Sequence, residues 1–196
     1  MITNQKNRYK TKRSKNNDIL KKRIALIGFR GIGKTTISKL LAKHYKKKNI
    51  SMDDFIEKKA GQTISSIVKE NGWGHFRFLE KQCLEEITKI DEIFILDCGG
   101  GIVESEDGQV SEEKIQMLKD NYFTIYLYMT PRAVFKRLSL LNHSSHRPAL
   151  ADSESELNMV YERRMPLYKR AAHAIIDISD TTPNEAVHRI VELIKN

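Results

Sequence analysis

The chain has 196 residues, of which 40% are hydrophobic and 30% charged, a balance typical of a globular protein rather than a fibrous or disordered one. No apolar run approaches the roughly 20 residues that cross a bilayer, and no signal-peptide core follows Met1, so we expect no membrane association. The two cysteines, Cys83 and Cys98, are too few for a disulfide framework and lack metal-ligand spacing, which favours a reducing, cytoplasmic setting.

The formal charge of +9 is concentrated at the N-terminus. Residues 1–23 hold nine of the 34 basic side chains and one acid, which leaves 25 bases and 24 acids for the rest. Because residues 1–18 are polar and almost free of large aliphatic side chains, we expect a basic, disordered extension over 1–22. An arm that binds polyanions and an organelle address are the alternatives for this segment. The remainder of the chain is nearly neutral, which argues against a specific nucleic-acid surface. The length of residues 23–196 suits a single domain.

From Arg23 onward, strand-like runs alternate with helical patterns. Apolar runs predict five strands, at 23–28, 49–53, 92–97, 122–129 and 174–178. Helical spacing is found at 37–45, between the second and third strands with breaks at Gly61 and 71–74, at 112–119, after Pro131 and at 187–194. This alternation predicts an α/β fold in three layers, with a five-stranded parallel sheet flanked by helices. The polar, aperiodic stretch 141–156 predicts a mobile lid loop.

The segment GFRGIGKTT, residues 28–36, lies between the first strand and the first helix and contains the spacing G-x-x-x-x-G-K-[ST]. Its glycines allow backbone N–H groups to surround a phosphate, and the helix N-terminus adds a favourable dipole. Lys34 would reach the β- and γ-phosphates, and the hydroxyl of Thr35 would ligate Mg²⁺. We therefore predict a P-loop fold that binds a nucleoside triphosphate. The candidate ATP-binding residues of this loop are Gly28, Gly31, Ile32, Gly33, Lys34, Thr35 and Thr36.

Five further segments follow the phosphate loop. They are SMDDFIEKKAG at 51–61, FRFLE at 76–80, GGG at 99–101, RPAL at 147–150 and RMPLY at 164–168. In this order and spacing, the six segments resemble the shikimate kinase family, and the resemblance covers residues 24–195. It implies ATP as the phosphoryl donor, Mg²⁺ as the cofactor and shikimate as the acceptor. It also implies a substrate-binding region at about 51–90 and a monomeric enzyme.

The resemblance assigns roles to the matched side chains. Asp53 would bind the acceptor hydroxyls and act as the general base, so the implied catalytic residues are Asp53, Lys34 and Arg147. Arg77 and Arg164 would hold the acceptor carboxylate, a task that suits the planar guanidinium group. Glu80 would orient Arg77, and Arg137 or Lys136 would face the adenine. The implied substrate-binding residues are Asp53, Arg77, Gly99, Gly100, Gly101 and Arg164.

The magnesium site departs from the family's pattern. Ser51 stands where the first aspartate of an Asp-x-Asp element is usual, so the site lacks one carboxylate. Asp97 ends the third predicted strand, a position where P-loop enzymes often carry a magnesium-associated carboxylate. We hypothesise that Asp97 replaces it, which makes Thr35 and Asp97 the candidate metal-binding residues.

Simpler explanations stay open for four of the assigned side chains. Arg77 and Glu80 could form a surface helix pair. Arg164 could be solvated, as we expect Arg163 to be, and Asp53 or Asp54 could cap a helix. For the whole chain, the alternatives are a kinase for another acidic polyol or a nucleotide, and a non-catalytic regulator that binds shikimate or nucleotide.

Overall fold

The computed structural model describes residues 23–141 and 153–195. The predicted extension 1–22, Arg147 and most of the predicted lid lie outside the described residues. Five strands form one parallel sheet in the order β2-β3-β1-β4-β5. Their bounds are β1 Arg23–Ile27, β2 Lys48–Ser51, β3 Phe94–Asp97, β4 Tyr122–Tyr128 and β5 Ala174–Asp177. The predicted five-stranded parallel sheet is confirmed.

Seven helices flank the sheet within the described residues. Their bounds are α1 Lys34–Tyr45, α2 Met52–Ala60, α3 Ile64–Thr88, α4 Glu112–Asn121, α5 Pro131–Leu141, α6 Glu154–Ala171 and α7 Pro183–Lys195. The predicted break at 71–74 is a kink inside α3, where Gly72 has φ 79° and ψ 171°. Helix α6 begins inside the predicted lid because the side chain of Ser153 caps it by accepting from the N–H of Glu156. None of the described helices is both long and apolar enough to cross a membrane.

The central strands carry the core. All four residues of β3 are buried, as are Ile24 to Ile27 of β1, so both strands read as continuous apolar runs rather than alternating ones. Arg23 fixes the connection into β3. Its guanidinium donates to the carbonyl oxygens of Thr88 at 2.7 Å, Glu92 at 3.1 Å and Ile90. Thr88 is the last residue of α3, so one of the free carbonyls at this helix end has a partner. The strand β3 starts at Phe94 rather than at the predicted residue 92.

Helix α2 begins one residue after β2 ends. Ser51 has extended φ and ψ angles and its hydroxyl accepts from the N–H of Asp54 at 3.2 Å, so it is the N-cap of α2. The alternative that Asp53 or Asp54 caps this helix is therefore wrong. Asp53 instead lies in the first turn, where a helix N-terminus favours a negative charge.

Candidate active site

The phosphate loop connects β1 to α1 at the carboxyl edge of the sheet, the edge where open α/β sheets bind their ligands. Gly28 and Gly33 have φ angles of 145° and 98°, and a Cβ on Gly28 would lie 2.6 Å from the carbonyl oxygen of Leu127. The ammonium of Lys34 donates to the carbonyl oxygens of Gly28 at 3.0 Å and Phe29 at 2.9 Å. Lys34 is thus held against the backbone of the phosphate loop, which was predicted from the sequence.

Arg137 extends from α5 to the same loop. A Cβ on Gly33 would lie 3.2 Å from Nη2 of Arg137, so the guanidinium group covers this glycine. Arg137 also lines a second, open cavity beside the phosphate loop. The other residues lining it are Met129, Thr130, Arg132, Ala133, Lys136, Leu140, Ser179 and Asp180. Arg137 and Lys136, the two candidates for the adenine, therefore share one cavity.

A cavity that opens to solvent lies between the phosphate loop, α2, α3 and α6. Its lining residues are Arg30, Asp53, Ile64, Trp73, Phe76, Arg77, Gly99, Gly100, Gly101 and Arg164. The structure thus brings all six predicted substrate-binding residues to one cavity. Sequence analysis did not single out Arg30, which lines the cavity from the phosphate loop.

Arg77 and Glu80 are buried in α3, with 6% and 0% of their surface exposed. Nη1 of Arg77 donates to both carboxylate oxygens of Glu80 at 3.2 Å, and Nζ of Lys114 donates to Oε2 at 2.8 Å. The alternative of a surface helix pair is therefore wrong. Burial alone would raise the pKa of Glu80, but the charges of Lys114 and Arg77 outweigh it and hold the pKa below its ordinary value.

Glu104 is a buried carboxylate that sequence analysis missed. Its Oε2 accepts from Nη2 of Arg164 at 2.6 Å, and its Oε1 accepts from Nη2 of Arg163 at 2.7 Å. Arg164 is only 3% exposed, so the alternative of a solvated Arg164 is wrong, and Arg163 is half exposed but paired. Burial would raise the pKa of Glu104, yet the hydrogen bond and charge of Arg164 keep that pKa lowered.

Aromatic rings support both cavity arginines from the apolar side. The guanidinium carbon of Arg77 lies 5.4 Å from the ring centroid of Trp73 and 5.1 Å from that of Phe76. That of Arg164 lies 5.8 Å from the centroid of Phe29. Such cation–π contacts stabilise a guanidinium group on the ring face and leave its edge available for hydrogen bonds. The edge of Arg164 has this capacity, because its buried Nε has no hydrogen-bond partner among the described residues.

The triple glycine leaves room for charged side chains. A Cβ on Gly101 would overlap the guanidinium group of Arg77, and one on Gly99 would lie 2.7 Å from Oε1 of Glu80 and 3.4 Å from Oδ1 of Asp53. The hydroxyl of Tyr168 donates to the carbonyl of Gly100. The sequence-based interpretation assigned the glycines to direct substrate contact. In the structure, Gly99 and Gly101 lie against the side chains that would bind the substrate.

The two candidate metal-binding residues lie on neighbouring elements of the carboxyl edge. Asp97, 6% exposed, ends β3 and is in register with Leu26 of β1 and with Ser51 of β2. Thr35 is exposed in the first turn of α1. Within the part of the chain that the structure describes, no three His, Cys, Asp or Glu side chains form a metal-binding group. Arg147, the third implied catalytic residue, lies outside this part.

Known proteins match this chain along most of its length. A family model described as shikimate kinase matches residues 30–195. A shikimate kinase of Dehalococcoides mccartyi is 37% identical over 176 residues, which are 90% of this chain and 93% of that relative. One of Enterococcus faecalis is 33% identical over 172 residues, 88% of this chain and 98% of the relative.

Solved structures agree with the sequence relatives. A shikimate kinase from Acinetobacter baumannii in complex with shikimate has a TM-score of 0.79 and 27% identity, covering 91% of this chain and 96% of that one. A shikimate kinase from Bacteroides thetaiotaomicron has a TM-score of 0.75 and 25% identity, covering 89% and 99%. Likeness of this extent, in a chain with a phosphate loop beside an arginine-lined cavity, shows that the chain belongs to the shikimate kinase family.

Proposed function

We propose that this protein transfers the γ-phosphoryl group of ATP to a hydroxyl group of shikimate. The observation that carries this proposal is the arrangement of the cavity. Asp53 on one wall and the two buried arginines Arg77 and Arg164 on another lie within reach of the phosphate loop. A small alcohol that carries a carboxylate fits these groups, whereas a neutral sugar would offer no anionic group to either arginine.

The phosphate loop would hold the donor. Its backbone N–H groups and the N-terminus of α1 would surround the phosphates, and the ammonium of Lys34 would exchange the carbonyls of Gly28 and Phe29 for phosphate oxygens. Arg137 and Lys136 line the adjoining cavity, where the nucleoside would bind. Arg147 would come from the lid to stabilise the transferring phosphoryl group, a contribution of about 10³ or more in rate for an arginine in this role.

Asp53 would act on the acceptor. The acceptor hydroxyl oxygen attacks the γ-phosphorus, the bond between that phosphorus and the bridging oxygen breaks, and ADP leaves. The proton of the hydroxyl passes to the carboxylate of Asp53. Arg77 and Arg164 would fix the other end of the acceptor through its carboxylate, so that the hydroxyl is presented to the phosphorus in a defined geometry.

The residues at the carboxyl edge suit Mg²⁺ that arrives with the nucleotide. Mg²⁺ prefers oxygen ligands, keeps several waters and is usually held by one or two protein groups together with substrate phosphates. The hydroxyl of Thr35 and the carboxylate of Asp97 provide such a sparse set. When bound, the ion would neutralise charge on the phosphates, and Thr35 and Asp97 would orient it and its waters.

Asp97→Asn is expected to raise the Mg²⁺ concentration for half-maximal rate about tenfold, because it removes a carboxylate near the phosphate loop. Ser51→Ala is the matched comparison in the neighbouring strand position. It removes the cap of α2 and is expected to lower stability by about 1 kcal/mol without a change in Mg²⁺ dependence. Magnesium titrations of the steady-state rate test both variants. An Asp97→Asn enzyme with unchanged turnover and Mg²⁺ dependence would exclude this role.

A coupled assay of ADP release tests the proposed function. The acceptors are shikimate, quinate, gluconate and nucleoside monophosphates, with a reaction lacking acceptor as the control. We expect release that depends on shikimate and is weak with nucleoside monophosphates, because these have hydroxyls for Asp53 but no carboxylate for the arginines. Quinate and gluconate carry both groups, so their rates relative to shikimate measure how strictly the cavity selects the shape of an acidic alcohol. Release without acceptor preference would contradict the proposal. Binding of shikimate without release would favour the non-catalytic regulator.

We also infer that the enzyme acts as a monomer and as one domain spanning residues 23–196, in the cytoplasm and without nucleic-acid or membrane partners. The near balance of 25 basic and 24 acidic residues beyond residue 23 supports the absence of a polyanion-binding surface. The small-molecule cavity at the carboxyl edge of one sheet supports a site that a single chain completes.

A further inference from the structure

Five charged side chains of alternating sign form a continuous buried series behind the acceptor cavity, which we call the ion chain. It is composed of Lys114, Glu80, Arg77, Glu104 and Arg164. Consecutive members are 2.8, 3.2, 3.7 and 2.6 Å apart, measured between a side-chain nitrogen and a carboxylate oxygen. The most exposed member is Arg77 at 6%. A protein interior often contains a single ion pair. An uninterrupted series of five buried charged side chains calls for a physical explanation.

Stability alone does not supply that reason. Removing charges from water costs several kcal/mol per ion, and a buried ion pair is often no more stabilising than apolar side chains of the same volume. Lys114 illustrates the cost, since burial lowers its pKa although Glu80 acts in the opposite direction. Of the five members, only Arg77 and Arg164 line the cavity. The other three are connected to these two by the ion pairs of the series.

The charges of the ion chain do not cancel. Three cations and two carboxylates leave one excess positive charge in a buried environment. Arg163, which also binds Glu104, is half exposed and screened by solvent. Arg30 and Asp53, which line the cavity from other elements, carry opposite charges and add nothing to the sum. The excess charge thus matches one bound carboxylate, and the unpartnered Nε of Arg164 is a donor for it.

One short segment after the triple glycine fixes both Glu104 and Lys114. The N–H of Glu104 donates to the carbonyl of Gly101 at 2.9 Å, and the N–H of Ser111 donates to the carbonyl of Val103 at 2.9 Å. Ser111 is the N-cap of α4, and its hydroxyl accepts from the N–H of Lys114 at 3.4 Å. The position of each charge is therefore set by backbone hydrogen bonds rather than by a flexible loop.

We propose that Glu104 and Lys114 are positioning residues that set the charge selectivity of the acceptor site. Glu104 holds the two cavity arginines together, and Lys114 neutralises Glu80, so that Arg77 keeps a charge to share with the acceptor. The site thereby prefers an acceptor with one negative charge over a neutral one. This inference rests on the proposed function and adds to it the source of its substrate class.

The test compares shikimate with its neutral carboxamide as acceptors and uses the ratio of their kcat/KM values. Lys114→Met removes the excess positive charge, and Glu104→Gln doubles it. We therefore expect the ratio to fall about tenfold in Lys114→Met and to rise about tenfold in Glu104→Gln, as one unit charge at close range predicts. The double variant should return near the wild-type ratio. Effects should be in KM, with kcat within about threefold of wild type.

Lys119→Met, an exposed lysine on the same helix, is the matched control and should leave the ratio unchanged. A merely structural role would lower the melting temperature in both variants without moving the ratio in opposite directions, and that outcome would overturn the inference. If one variant does not fold, the inference stands or falls on whether the other variant changes the kcat/KM ratio in the expected direction. If neither folds, the ion chain is structural and the inference is wrong. Wild-type protein that releases no ADP with shikimate would instead refute the proposed function itself.

Discussion

Asp53→Asn is expected to lower kcat for shikimate phosphorylation by about 10³-fold, within the range for loss of a general base. The asparagine has nearly the same shape but does not take up the hydroxyl proton. Asp53 is half-buried in the first turn of α2 and lines the cavity together with both arginines. Binding of the acceptor through its carboxylate should persist, so the dissociation constant for shikimate, measured by calorimetry, should change much less than kcat.

Asp54→Asn is the matched control for this experiment. Asp54 is the next residue of the same helical turn, is exposed, and is not among the residues lining the cavity. Both changes remove one negative charge near the N-terminus of α2, so any loss of helix stabilisation should be similar in the two variants. A large loss of kcat in Asp53→Asn alone would assign the effect to the cavity. Equal kcat values in the two variants would show that another group accepts the proton.

Sequence patterns predicted the fold because its strands are strongly apolar. The run 122–129 corresponds to β4 at Tyr122–Tyr128, and the run ending in Asp97 corresponds to β3. The edge strand β2, with the sequence KNIS, was placed at 49–53 and is found at Lys48–Ser51. Its end was misplaced because Ser51 terminates the strand and caps α2, and a run of polar residues does not reveal which of them is the cap.

The acceptor site was predictable only where its contacts are local. Arg77 and Glu80 are three residues apart in one helix, so sequence analysis could pair them. Glu104 and Arg164 are 60 residues apart, and no spacing rule connects them. Glu104 also lies in VESEDG, a segment whose composition is typical of an exposed turn. The burial of Lys114 could have been predicted, because this residue precedes the buried Leu118 by four positions and therefore lies on the same face of the helix.

Gly101→Ala is expected to raise the KM for shikimate about 10–100-fold, because the new methyl group would overlap the guanidinium group that binds the acceptor carboxylate. The range corresponds to the loss of one charge-assisted hydrogen bond, about 1.5–3 kcal/mol. Arg77 would have to leave its 3.2 Å hydrogen bonds with Glu80, which should lower the melting temperature by about 2–4 °C for each kcal/mol of stability lost. The KM for ATP should change little, since the three atoms nearest to the added methyl group all belong to Arg77.

A double-mutant cycle with Arg77→Lys separates this overlap from a general disturbance of the triple glycine. Lysine lacks the branched guanidinium group that the methyl group would meet, so Gly101→Ala should have little further effect on KM or melting temperature in that background. Additive losses would show that the methyl group acts on the backbone or on other side chains instead. A non-additive result would mean that residue 101 must be glycine because a side chain there would displace Arg77. The substrate would then depend on this glycine through Arg77 rather than through direct contact.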